Sequence, residues 1–133
     1  MVRKTIIALL LLLILGAGIA FGTAHKINLS AGDNNGCIKA KKGDVVAIKL
    51  TANAGTGYTW DVAANNKRVT KYKGKKYVES AMTNPPTVGA AGREVLSFKA
   101  IKKGTSKIKL IYHQPWDKKA KPAKKFSVKI TVR

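Results

Sequence analysis

Gly43-Asp44-Val45-Val46-Ala47-Ile48-Lys49-Leu50-Thr51 is the stretch that decides the fold. Behind the Gly-Asp turn, Val46, Ile48 and Leu50 alternate with Ala47, Lys49 and Thr51, so apolar side chains recur with a period of two rather than 3.6. That period belongs to a strand with one dry face and one wet face. Working outward, Ile38 to Lys41 is a shorter alternating stretch on the near side of the turn, and Tyr58, Trp60 and Val62 share a face of the next strand. Leu96, Phe98 and Ala100 share a face of another; Ile108, Leu110 and Tyr112 follow a Lys103-Gly104 turn. Phe126, Val128, Ile130 and Val132 alternate with Ser127, Lys129, Thr131 and Arg133. Between Trp60 and Arg93 the pattern is less regular: Val69, Tyr72, Tyr77 and Val78 are short-strand residues and Asn84-Pro85-Pro86 a loop. No helical pattern stands out.

Six to eight short antiparallel strands, each with one apolar face, must hide those faces against each other, which predicts an all-β, two-sheet sandwich. Trp60 is expected on a central strand as a core aromatic. Trp116, after Pro115 and before a lysine-rich stretch, is out of phase with both neighbouring strands and is expected on a loop, at least partly exposed.

The first residues read as a targeting segment. Arg3 and Lys4 precede an aliphatic run from Ile6 to Leu15 and a small, apolar stretch from Gly16 to Ala24, the layout of a secretory signal. Small residues at Gly22 and Ala24 place the cut after Ala24, with the bond after Gly22 as the second choice. Retention as an anchor is the alternative, because the nineteen residues from Ile6 to Ala24 would span about 28 Å as a helix. On the first reading, residues 1–24 are a signal peptide and 25–133 a single domain in an exported compartment (periplasmic, extracellular or a secretory lumen). The chain has one cysteine, Cys37, so no internal disulfide is available, and its two histidines have no metal-ligand spacing. No cofactor and no metal is expected.

Without Arg3 and Lys4, 24 of the 26 Lys and Arg residues face six acids, a formal charge of +18. Such a field speeds encounter with acidic partners and says nothing about fold. RNA-binding aromatic signatures and a helical basic stripe are both absent, which argues against specific nucleic-acid recognition.

The remaining signal lies in loops. Asn53-Ala54-Gly55-Thr56-Gly57-Tyr58 presents bare backbone and one small hydroxyl, with Gly55 and Gly57 free to take positive φ and Tyr58 and Trp60 able to anchor the turn in the core. Gly89-Ala90-Ala91-Gly92 and Gln114-Pro115-Trp116 follow in order. Together the three stretches resemble the loop motifs of the chagasin-like inhibitors of cysteine peptidases, which read Asn-Pro-x-Thr-Gly-Tyr or Phe, Gly-x-Gly-Gly, and Arg-Pro-Trp or Phe. The resemblance covers nearly the whole chain after residue 24. It implies an immunoglobulin-like sandwich whose three loops gather at one end and wedge reversibly into the cleft of papain-like peptidases. On that reading Thr56 lies nearest the peptidase's cysteine and histidine, the Gly89 to Gly92 loop runs along the unprimed side, and Trp116 covers the primed side. The protein is then an inhibitor and not an enzyme, expected to act as a monomer and without stable membrane association once the signal is cleaved.

Three positions depart from the family pattern. Ala54 replaces proline and leaves the first loop less restricted. Ala91 replaces glycine and would be strained at positive φ. Gln114 replaces arginine, losing charge and a forked donor while keeping hydrogen-bonding capacity. The rival reading is a basic exported sandwich that binds anionic polymers or surfaces through its lysines. An enzyme is the third, since His113 near a loop could serve as a base, but no nucleophile or paired carboxylate accompanies it.

Overall fold

The computed structural model describes residues 24–79 and 91–133. Residues 1–23 of the expected signal peptide, and the Asn84-Pro85-Pro86 loop, lie outside them. Eight strands run in the order β1 (Lys26–Leu29), β2 (Gly36–Ala40), β3 (Val45–Ala52), β4 (Thr59–Ala64), β5 (Thr70–Val78), β6 (Gly92–Ala100), β7 (Gly104–His113) and β8 (Lys124–Val132). They form two four-stranded sheets, β1-β3-β6-β5 and β2-β8-β7-β4. The alternation read from the sequence determines what lies between them: Val46, Ile48, Leu96, Phe98, Ile108, Leu110, Val128 and Ile130 are all buried. This is the expected all-β sandwich.

Four ladders, β3 with β6, β5 with β6, β4 with β7 and β7 with β8, are antiparallel. One edge of each sheet adds a feature the antiparallel expectation lacked: β1 pairs with β3, and β2 with β8, in parallel. A second correction concerns Trp60, which lies on β4 at the edge of its sheet and not on a central strand. It is buried nonetheless, because its ring packs 5.1 Å from that of Tyr112 and its indole N–H donates to the Thr51 carbonyl of the opposite sheet at 3.1 Å.

The irregular stretch before Arg93 also has a physical cause. Tyr72 pairs with Phe98 and Tyr77 with Glu94, and the register shifts between Tyr72 and Gly74. That bulge puts Tyr72 and Tyr77, an odd five positions apart, on the same face of β5 and so breaks the period of two. It also turns Lys75 toward the inner edge, beside β4.

At the opposite end of the sandwich from the 53–57 loop, buried Asp44 closes the turn before β3, its two oxygens accepting from the amides of Lys41 at 2.9 Å and His25 at 3.0 Å. The amides of Lys41 and then of His25 hold its carboxyl below the usual range. A depressed folded-state pKa contributes stability that is present above the unfolded value near 3.9 and is lost as pH falls through the folded value. Asp44→Asn is therefore expected to melt lower than the parent at pH 7, with the gap shrinking below about pH 4. Thermal melts at pH 7, 5 and 3 check this; a gap that stays constant with pH would count against it.

Candidate functional site

The connection between β3 and β4 is built by its own side chains. Asn53 caps a 3-10 turn, Ala54–Thr56, by accepting the Gly55 amide on Oδ1 at 3.1 Å. The Thr56 hydroxyl donates to the Asn53 carbonyl at 2.7 Å and accepts the Tyr58 amide at 3.3 Å. The hydroxyl expected to face outward is thus spent inside the loop, where it makes the turn rigid. Of the two glycines, only Gly57 takes positive φ, +77°, closing the turn as its C-cap; Gly55 does not. Ala54, Gly55 and Thr56 are exposed, so the apex offers mainly backbone.

Beneath this turn lies an aromatic footing. The Tyr112 hydroxyl, at the inner end of β7, accepts the Asn53 amide at 3.0 Å, and its ring stacks 5.3 Å from that of Tyr58. Because Tyr112 is itself buried against Trp60, the position of the turn is set by the core.

The third stretch docks onto the first. Gln114 donates its side-chain amide to the Thr56 carbonyl at 3.2 Å, so the residue in the arginine position keeps a hydrogen bond as expected. Trp116 lies over Gly57 so closely that a Cβ on that glycine would come within 2.3 Å of the ring's Cη2. The ring is still 69% exposed, with its other face open to a partner. Pro115 lies between these two contacts and is exposed. Absence of bulk at Gly57 is what lets the two loops touch.

Of the second stretch, Gly89 and Ala90 lie outside the described residues; Ala91 and Gly92 are described. Gly92 opens β6 opposite Ala52, the last residue of β3, so this stretch enters the sheet at the end where the first loop leaves it. A Cβ at Gly92 would come within 2.5 Å of the Tyr77 hydroxyl and 2.6 Å of the Val78 carbonyl, so only glycine fits.

A polar network that the sequence reading missed sits below the same end. Buried Glu94 accepts the Thr59 hydroxyl at 2.7 Å and the Trp60 amide at 3.0 Å, tying β6 of one sheet to β4 of the other. Lys75 lies 3.4 Å from Glu94, donates to the Trp60 carbonyl at 3.0 Å and reaches Asp61 at 3.2 Å. Asp61 also bonds His113 Nε2 at 2.7 Å. Burial pushes the Asp61 carboxyl up, but the hydrogen bonds from His113 and Lys75 outweigh it and hold the group below the usual range. His113 ends β7 in a structural bond with Asp61, while Cys37 lies exposed on β2, with β8 between the two strands. The arrangement suits a rigid wedge of turns.

Ala54 is the first residue of the turn, and among the described residues its amide has no partner. Asn53 before it, at φ −119° and ψ 103°, already has the extended backbone that proline requires of its predecessor. Ala54→Pro is therefore expected to restrict the unfolded chain without removing a bond, raising stability by about 0.4 to 1 kcal/mol. Thermal melts of parent and variant check this; a variant that melts lower than the parent would show that the turn does not accept proline.

Comparison with known proteins bears on the family and the fold. A family model described as chagasin family peptidase inhibitor I42 matches residues 39–130. Amoebiasin-2 of Entamoeba histolytica is 29% identical over 93 residues, covering 68% of this chain and 72% of that protein. The crystal structure of the cysteine protease inhibitor EhICP2 from Entamoeba histolytica superposes with a TM-score of 0.75 at 21% identity, covering 85% of this chain and 100% of the other. PbICP-C, solved in complex with falcipain-2, gives a TM-score of 0.53 at 20% identity over 85% of this chain and 96% of its own.

Proposed function

The chain belongs to the chagasin family of peptidase inhibitors, and on that premise we propose that it blocks papain-like cysteine peptidases with the wedge formed by Asn53 to Tyr58, Gly89 to Gly92 and Gln114 to Trp116. It is an inhibitor and not an enzyme. The observation that carries the site assignment is the union of the first and third loops: Trp116 over Gly57 and Gln114 on the Thr56 carbonyl. Two turns held to each other and footed on Tyr112 lose little freedom on binding, which favours affinity.

The same bonds explain inhibition without cleavage. Acyl transfer needs a substrate carbonyl held in line with the nucleophile. Here the backbone from Ala54 to Thr56 is coiled, and the carbonyls of Asn53, Ala54 and Thr56 accept bonds from Thr56, Gly57 and Gln114 within the wedge. The turn fills the cleft while its carbonyls stay out of attack geometry. The exposed face of Trp116 supplies a large rigid apolar area beside it.

The proposal includes export through residues 1–24 and action as a monomer without cofactor; the basic-aliphatic-small layout of that segment supports the first. The cysteine class of peptidase follows from the loop motifs and from the relatives named as cysteine protease inhibitors. Titration of papain with the protein, read with a small peptide substrate, tests the reading: competitive inhibition with the inhibitor recovered intact is expected, and no inhibition at micromolar protein would overturn it. Trp116→Ala should weaken inhibition by about 2 kcal/mol or more. Its melting temperature should barely move, since the ring is mostly exposed. A large loss of stability with unchanged inhibition would assign Trp116 to the core instead.

A further inference from the structure

The outward face of the sheet β1-β3-β6-β5 carries a second feature, separate from the wedge. Register places Lys26 beside Val45, Val45 beside Lys99 and Lys99 beside Lys71, so three lysines form one row across all four strands. Two residues further along, the row is Asn28, Ala47, Ser97 and Gly74, small or short at every strand. Two further again, Lys49 and Lys76 flank Val95. Two basic rows therefore border a low floor, about 13 Å apart at the backbone for a spacing of four strand residues. The surface is depressed toward the second row, where Lys26, Lys49, Lys73, Lys76, Gly74 and Ser97 line a shallow hollow. Ala47, although on the outward face, is covered by the side chains around it and has no exposed surface.

The six acids of the chain are all in described residues, and none stands on this face. Glu94 points inward, Asp61, on β4 of the other sheet, bonds His113 and the inward-turned Lys75, and Asp44 is held in its turn. Asp33, Glu79 and Asp117 lie outside the strands. Ion pairs among the described residues involve His25, Lys75 and His113, and not the lysines of these rows. Placing like charges in two files with no counter-charge disfavours the folded state. A linear polyanion laid across the strands would relieve that repulsion along its whole length.

We propose that this trough binds an acidic polysaccharide, one carrying sulfate or carboxylate groups. Two observations select that class over a nucleic acid. None of the outward residues of these four strands is aromatic, so nothing is provided for bases to stack on. Its walls are lysine, a compact point charge, with arginine present only at Arg93, beyond the trough. The trough ends before the loops: Lys49 is three residues short of Ala52, where β3 gives way to the inhibitory turn. Bound polymer would leave the wedge free, so the protein could be held on a polyanionic matrix while still inhibiting. The inference does not depend on the inhibitory reading.

Calorimetric titration with a sulfated heparin oligosaccharide tests it. Two variants remove equal charge: Lys49→Gln, Lys76→Gln, Lys99→Gln in the trough, and Lys107→Gln, Lys109→Gln, Lys129→Gln on the opposite sheet. Thermal melts establish that each folds. The trough variant should lose about tenfold or more in affinity and show a shallower dependence on salt, the control less than about threefold. Equal losses would mean that net charge alone attracts the polymer, and the proposal fails. It also fails if no saturable binding is seen, or if a single-stranded oligonucleotide of matched charge binds more tightly than the oligosaccharide.

Discussion

Replacing Gly57 with alanine is expected to raise the inhibition constant against a papain-like peptidase about a hundredfold while the sandwich stays folded. Two costs combine. Gly57 has φ +77°, where a side chain costs about 1 to 2 kcal/mol. The added methyl would also sit 2.3 Å from Trp116 Cη2, so the ring must leave its place over the turn. Displacing an aromatic anchor costs about 2 kcal/mol in binding, which with local strain brings the loss to roughly 3 kcal/mol. The mechanism makes a further demand on the double variant. If the loss runs through the ring, Gly57→Ala in a Trp116→Ala background should add only the strain, and the two changes should be clearly non-additive. Inhibition constants for the parent, both single variants and the double decide it. A Gly57→Ala protein that inhibits as well as the parent would show that contact between the two loops is not used in binding.

How far such a site is legible in sequence depends on the kind of interaction that makes it. Val46-Ile48-Leu50 and Phe126-Val128-Ile130-Val132 are unbroken alternations whose phase alone identifies the buried face, and the structure buries them accordingly. In β5 the bulge changes the phase mid-strand, so the sequence marks Tyr72 and Tyr77 as strand residues without assigning them to a face. β1 is four residues long, too short to display a period, and it joins β3 in parallel, a pairing that its own residues do not announce. The sequence marks Trp60 as buried but not its place on an edge strand, because burial comes from Tyr112 and from a bond to the other sheet. Motif order identified Gln114 and Trp116 as site residues. That Gln114 holds the Thr56 carbonyl, 58 positions away, is a property of the fold. One available signal went unread: Glu94 is in phase with Leu96, Phe98 and Ala100, and an acid on an apolar face implies buried partners.

That acid should yield a stability effect as large as that of a core aromatic. Glu94 is 4% exposed, accepts the Thr59 hydroxyl and the Trp60 amide, and faces Lys75. Glu94→Ala would strip all three at once, leaving a buried amide without an acceptor and Lys75 without its more deeply buried carboxylate. Breaking a buried pair from one side costs about 3 to 5 kcal/mol. For a domain of this size the melting temperature should fall by about 10 °C or more. Glu94→Gln separates the charge from the hydrogen bonds: its carbonyl can still accept the Trp60 amide, so it should lose less than Glu94→Ala. If the remaining loss arises because Lys75 is left facing a neutral group, then adding Lys75→Met to Glu94→Gln should recover part of it, since removing both partners of a buried pair costs less than removing one. Inhibition by the Glu94 variants, measured well below their melting temperatures, should change far less than stability, because Asn53 remains bonded to Tyr112 and Trp116 remains over Gly57. Should Glu94→Ala instead melt like the parent and inhibit poorly, the link from β6 to β4 would be a device for positioning the first loop, and the strength of the sandwich would reside in its apolar layer alone.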